Sequence, residues 1–267
     1  PDDLVFELNY KNCIEGQYGK PLIGTEESVK SFSSEMVKKY YKEKYIKDNI
    51  LIVVSGNFSK EKIIEKIDEY FNKLEEKKLD LIDDKIFNFK SGEMSYQKDI
   101  SQVNICISYN GKEYGNKDRI YNDIAANVIG GSMSSRLFQE IREKKGLAYS
   151  VYTYNQYYNK GGVISTYIGT NIENYKDAVK ITLNEFKKLK EKGITKFELQ
   201  KAKNKYLSKI AFSMENPRSR MSILGNYFTR KGKILNIEDL KEEIKAVNWE
   251  KINNYLNKEF LEPNISI

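Results

Sequence analysis

The sequence predicts an α+β sandwich in which helices pack on one face of a mainly antiparallel sheet. Three observations lead there. Strand-like runs occur at Gly92 to Lys98, Val103 to Tyr109, Leu147 to Tyr157 and Gly162 to Gly169. Helical periodicity fills most of the remaining chain. A length of 267 residues with 40% hydrophobic content is enough to bury a substantial core.

In chain order, Ser28 to Tyr45 repeats apolar residues at helical spacing through Val29, Phe32, Met36, Val37, Tyr40 and Tyr41. Asp48-Asn49 closes that helix before a β-rich run at Ile50 to Ser55. Ser59 is placed to cap a second helix, reaching about Leu74 with Ile63, Ile64, Ile67, Tyr70 and Phe71 facing inward. Residues 75–85 are charged and lack an amphipathic period, so they read as a linker, with a new domain opening near Ile86.

Beyond the linker, helices are expected at Lys117 to Ile129 and Ser132 to Lys145, and Asn159-Lys160-Gly161 joins two strands as a hairpin. A helix follows from about Asn171 to Lys192. Thr195 with Glu198 forms a capping-box pattern, and Pro217 and Asn248 mark two further helix starts. The opening Pro1 and the strand-like Ile265 to Ile267 read as the cut ends of a fragment.

Composition narrows the function. The excess of 45 Lys+Arg over 38 Asp+Glu is spread through helices, which makes a basic nucleic-acid-binding module only a minor alternative. No apolar run approaches the roughly 20 residues that cross a bilayer, and no leader opens the chain, so the expectation is a cytoplasmic protein without membrane partners. Cys13 and Cys106 read as ordinary reduced thiols. With no histidine and no CxxC spacing, no metal site is expected within the chain. The absence of a Walker loop, GxGxxG, GxSxG and any Ser-His or Cys-His pair argues against a self-contained hydrolase.

The most distinctive stretch runs from Gly130 to Ser150, GGSMSSRLFQEIREKKGLAYS. Two glycines permit a tight turn into a helix, Leu137 and Ile141 face the core, and Gly146 ends the helix before a strand carrying Tyr149. By themselves these residues have plain structural readings. Arg142 with Lys144 and Lys145 suits a helix carboxyl terminus, and Tyr149 suits a half-buried strand position. Gly130-Gly131 at a helix start is weak support for an anion site.

This stretch resembles the signature of the carboxyl-terminal domain in the pitrilysin and insulinase-like zinc peptidase superfamily, in its processing-peptidase branch. There, a glycine pair, Ser-Arg-Leu and an Arg followed by Gly-Leu-x-Tyr recur together. Gly19-Lys-Pro-Leu-Ile-Gly-Thr-Glu-Glu-Ser-Val, Tyr45 to Gly56 and Met214-Glu-Asn-Pro-Arg-Ser-Arg-Met221 resemble further family segments in the family's order, so the likeness covers nearly the whole chain.

The resemblance implies two similar α+β domains closing around an unfolded peptide, with an inverted HxxEH zinc motif and a distal Glu ligand upstream of Pro1. Residues 1–74 would be the end of the zinc-bearing domain, a partial copy of the same fold. Residues 86–267 would be the second, substrate-gripping domain. It further implies that Arg142 and Tyr149 are the catalytic and substrate-binding residues beside a zinc held outside this chain. Zinc-bound hydroxide would attack a peptide carbonyl, Tyr149 would donate to the developing negative oxygen, and Arg142 would grip a carbonyl or carboxylate through its fork of donors. The implied assembly is a homo- or heterodimer of family members, and a non-catalytic partner subunit or scaffold is the alternative the resemblance leaves open. Arg136 and Ser135 are assigned to fold or interface.

Overall fold

The structure, a computed structural model, describes residues 2–78 and 86–267. Its elements begin with α1 (Asp2–Cys13), β1 (Ile14–Glu15), α2 (Glu26–Lys30), α3 (Ser34–Lys44) and α4 (Lys60–Phe71). Then come β2 (Asn88–Phe89), β3 (Gly92–Met94), β4 (Val103–Gly111), α5 (Arg119–Gly130), a π-helical turn (Phe138–Glu143), β5 (Ala148–Tyr157) and β6 (Gly162–Thr170). The chain closes with α6 (Tyr175–Lys192), α7 (Lys196–Glu215), α8 (Pro217–Lys231), α9 (Ile237–Ala246), α10 (Trp249–Leu256) and β7 (Asn264–Ser266).

Two compact bodies emerge, and neither is contiguous. The first comprises Pro1–Leu22, Asp84–Leu207 and Glu238–Ile267; the second comprises Ile23–Asp83 and Ser208–Ile237. The division expected from sequence, 1–74, 75–85 and 86–267, follows the chain in order. Helix α1 buries Val5, Asn9 and Cys13 within the first body. Part of the expected linker, residues 79–85, lies outside the described residues.

The first body is built on a five-stranded sheet of order β3-β7-β4-β6-β5, antiparallel except for the β3–β7 pair. Strand alternation sorts the side chains of β4. Ile105, Ile107 and Tyr109 join a core with Ile124 and Ile129 of α5, Phe186 and Leu189 of α6, and Ile252 and Leu256 of α10. The intervening Cys106 and Ser108 face α1, where Asn9 and Ser108 exchange hydrogen bonds of 2.9 and 3.1 Å and Ser108 pairs with Ser165 at 2.7 Å. Phe6 packs against Tyr154 and Tyr167 on that face. The α+β sandwich with a mainly antiparallel sheet is thus present, and α1 adds cover on the second face.

Several helix ends match their sequence signals. Thr25 caps α2 in a reciprocal box with Ser28, Ser33 caps α3 and Ser59 caps α4, so the single helix expected from Ser28 to Tyr45 is two. Asn216 and Asn248 cap α8 and α10, with Pro217 in the first turn of α8. The expected strand at 50–55 does not form. Among the described residues of the second body no strand offers it a ladder, and Leu51, Ile52 and Val54 stay partly exposed.

Candidate functional site

Helix α5 ends at Gly130, and the glycine there is a packing requirement. A Cβ would fall 2.3 Å from Thr153 Oγ1 and 2.6 Å from the Thr153 backbone nitrogen, so only glycine lets the helix end lie against β5. Gly130-Gly131 therefore close a helix. The expectation that they open one is corrected, and with it the weak anion site, because a helix carboxyl terminus presents carbonyls.

The chain then turns through Ser132 to Ser135, where Ser135 bonds back to the Ser132 carbonyl through its N–H at 3.0 Å and its hydroxyl at 2.5 Å. Gln139 Nε2 ties the loop down by donating to the Met133 carbonyl at 2.7 Å. Leu137 and Ile141 are both fully buried and set the phase of the next helical segment. That segment is not the α-helix expected from Ser132 to Lys145. Phe138–Glu143 is π-helical, and the Lys144 N–H reaches the Gln139 carbonyl at 2.9 Å, five residues back. Single π turns of this kind are rare and collect at functional sites.

Arg142 sits in this π turn with its side chain exposed and its guanidinium over the Phe138 ring, 5.0 Å from the centroid. The adjacent carboxylate of Glu140 pairs with Lys144 at 2.5 Å, which holds its pKa below the usual carboxylate range. Gly146, at φ 61°, ends the turn in the left-handed region, and the Leu147 N–H closes back on the Ile141 carbonyl at 2.8 Å.

Strand β5 starts with an irregularity. Ala148 pairs with Thr170 and Ser150 with Gly169, so Tyr149 is an extra residue without a partner, a β-bulge. The bulge explains why Ala148 and Val151, three apart, both enter the helix-side core. It also turns Tyr149 outward, leaving it 64% exposed. The start of β5 is pinned by Thr170, whose hydroxyl donates to the Leu147 carbonyl at 2.5 Å. At the start of β4, Val103 and Asn104 help line a cavity of about 420 Å³ with Leu4, Tyr96, Ile100, Ile172 and Tyr175, among others.

Arg142 and Tyr149 thus lie on one helix-to-strand junction, both exposed and each on a backbone irregularity. Among the described residues the Arg142 guanidinium has no ion pair and Tyr149 no hydrogen bond. Arg136 is different. It is spent internally, on Glu198 and the Gly193 carbonyl, as a fold residue. Sequence reasoning missed the π turn, the bulge and Phe138. The one available signal was the spacing Leu147, Ala148, Val151, which breaks strand alternation.

Among the described residues, the donors do not fit a zinc site. The sequence has no histidine. Burial pushes the Cys13 thiol up to about 12 and the Cys106 thiol higher still, which disfavours the thiolate a metal needs. Among the described residues, no three His, Cys, Asp or Glu side chains converge. No helix among them is long and apolar enough to cross a membrane.

The Arg142–Tyr149 junction is thus carried by a five-stranded sheet with core helices packed on one face and α1 on the other. Residues 31–206 match the family described as Peptidase M16 inactive domain, and the chain belongs to that family. It is 34% identical over 264 residues to the uncharacterized zinc protease YmxG of Bacillus subtilis (strain 168), covering 98% of this chain and 64% of that protein, so it spans just under two thirds of that relative. The fold is similar to that of a protease from Helicobacter pylori, with TM-score 0.89 and 18% identity over all of this chain and 66% of the other. It is also similar to a chain of Complex III2 from Candida albicans, with TM-score 0.86 and 19% identity over all of this chain and 66% of the other.

Proposed function

We propose that the chain is the carboxyl-terminal, substrate-gripping portion of a zinc-dependent metalloendopeptidase that cleaves peptides or unfolded polypeptide segments. In this reading residues 1–74 close the zinc-bearing domain, 75–85 link it to 86–267, and the HxxEH motif and distal Glu lie in sequence outside this chain. The whole protein would act in the cytoplasm as a homo- or heterodimer of family members.

The observation that carries the reading is the outward turn of Tyr149 by a bulge, next to an exposed Arg142 free of ion pairs. A planar guanidinium presents a rigid fork of donors that suits a substrate carbonyl or carboxylate. A phenol donates one hydrogen bond to the carbonyl oxygen as negative charge builds on it, which lowers the barrier when the donor is already aimed. Among the described residues, neither group has an ion pair or side-chain hydrogen bond to give up first.

The test is Tyr149→Phe in the full-length protein with a quenched peptide. It keeps the ring and removes the donor, so kcat should fall about 10²- to 10³-fold with KM and melting temperature little changed. Arg142→Lys keeps the charge but loses the fork, and more of its defect should appear in KM. Near-normal kcat for Tyr149→Phe, with chemistry rate-limiting, would overturn the catalytic assignment. That result would favour the second reading, a non-catalytic partner subunit or scaffold.

A further inference from the structure

We infer that Phe138 is a positioning residue for Arg142, its ring serving as the platform over which the guanidinium rests, keeping its donors directed outward. The inference rests on the reading of Arg142 as a substrate-gripping residue and adds what prepares it for that task.

The argument starts from helical phase. Leu137 and Ile141, four apart, are both fully buried. The next pair along the segment, Phe138 and Arg142, therefore rides on the rim of the core, where one side chain can lie against protein while the other reaches solvent. Phe138 is partly buried and packs against the main core cluster, so its ring is not free to swing. The guanidinium lies 5.0 Å from the ring centroid, within the range where a cation is attracted to a π face.

Two neighbouring arrangements keep this contact from being replaced by a simpler one. Glu140, one turn from Lys144, is engaged by it at 2.5 Å and is not left over for Arg142. The π turn puts more than four residues in each turn, and its end is fixed by the Leu147 N–H to Ile141 carbonyl bond, so the segment has a defined irregular geometry. A guanidinium spread over an aromatic face keeps all its N–H groups at the rim of the plane. Substrate then meets a fork already oriented, where a free arginine would have to order several rotatable bonds on binding.

The test uses the full-length protein with Phe138→Leu, which keeps apolar bulk but lacks a π face, and Phe138→Tyr, which keeps the face. Phe138→Leu should lower kcat/KM about 2- to 30-fold, chiefly through KM, the span expected for an exposed to partly desolvated cation–π contact. Phe138→Tyr should restore it. In an Arg142→Ala background, Phe138→Leu should cause no further loss, since the ring acts only through the guanidinium. On this chain, the Arg142 side-chain Nε–H resonance should lose its upfield ring-current shift in Phe138→Leu. Equal fractional losses with and without Arg142, or an unchanged resonance, would mean a merely structural ring and would overturn the proposal. A defective Arg142→Ala with a fully active Phe138→Leu also overturns it while leaving the gripping role intact. Full activity of Arg142→Ala would instead remove the gripping role itself.

Discussion

The guanidinium of Arg136 forks onto the carboxylate of Glu198, with Nε 2.7 Å from Oε1 and Nη2 2.9 Å from Oε2. Nη2 also donates to the Gly193 carbonyl at 2.9 Å, and Glu198 accepts the Thr195 N–H at 2.8 Å. One ion pair thereby ties the loop after Gly131 to the start of α7. Burial pushes the Glu198 carboxyl up, but Arg136 and the Thr195 N–H outweigh it and hold the group below the usual carboxylate range. A carboxylate with a depressed folded pKa adds stability above its unfolded pKa of about 4.3, and that stability is lost as pH falls through the folded value. Glu198→Gln should therefore cost about 2 kcal/mol at neutral pH, and the deficit should shrink below about pH 4. Urea melts of both proteins across that range provide the check.

Gly130→Ala should be among the costliest small changes in the first body. The added methyl meets Thr153 Oγ1 and backbone, which cannot both withdraw without opening the α5–β5 contact. Overpacking of this kind costs about 1–3 kcal/mol, a drop of several degrees in melting temperature for a chain this size. Gly115→Ala, which meets nothing within 4 Å, should be neutral or slightly stabilising in the same melts.

Asp123 gives the opposite pH signature to Glu198. Burial pushes its carboxyl up despite hydrogen bonds from the Tyr157 hydroxyl at 2.6 Å and Asn155 Nδ2 at 3.1 Å. A raised folded pKa favours the protonated native state, so this contribution is full below the unfolded value of about 3.9 and fades as pH rises through the folded one. Asp123→Asn should flatten that decline, so its stability relative to the parent should improve from about pH 4 towards neutrality. A constant difference across that interval would contradict the assignment.

Amide exchange should separate the two bodies. Helix α3 buries none of its residues, and Val37, Tyr40 and Tyr41 are all more than half exposed. Backbone groups with so little packed around them open at low free-energy cost. Amides of α2, α3 and α4 should exchange well before those of β4 and β6. Equal protection in both bodies of a monomeric sample would count against this reading.

Legibility in the sequence followed how local the cause was. Strand β4 could be read because Ile105, Ile107 and Tyr109 alternate with smaller or polar residues, and α8 and α10 because Asn216-Pro217 and Asn248 are local caps. The run at 50–55 has strand composition but no ladder partner, which composition cannot reveal. Arg142 and Tyr149 stood out through motif likeness, while the π turn and bulge beneath them did not. Each irregularity is a single-residue change of phase, and Leu137 with Ile141 satisfies a regular helix as well as a π turn. Arg136 finds Glu198 62 residues away, beyond any window of periodicity.

Strand β7 lies between β3 and β4 in the sheet although it is last in the chain. On a ribosome, β3 would emerge first and wait for β7, its ladder partner among the described residues, until residues 264–266 follow. At about 5–20 residues per second that wait is roughly 10–30 s. Through it the nascent chain would carry β4, β6 and β5 as a three-stranded sheet, in that order, with an open edge on β4. That exposed edge is where a neighbouring nascent chain would compete with β7, so the yield of folded protein should depend on how fast residues 95–266 are translated.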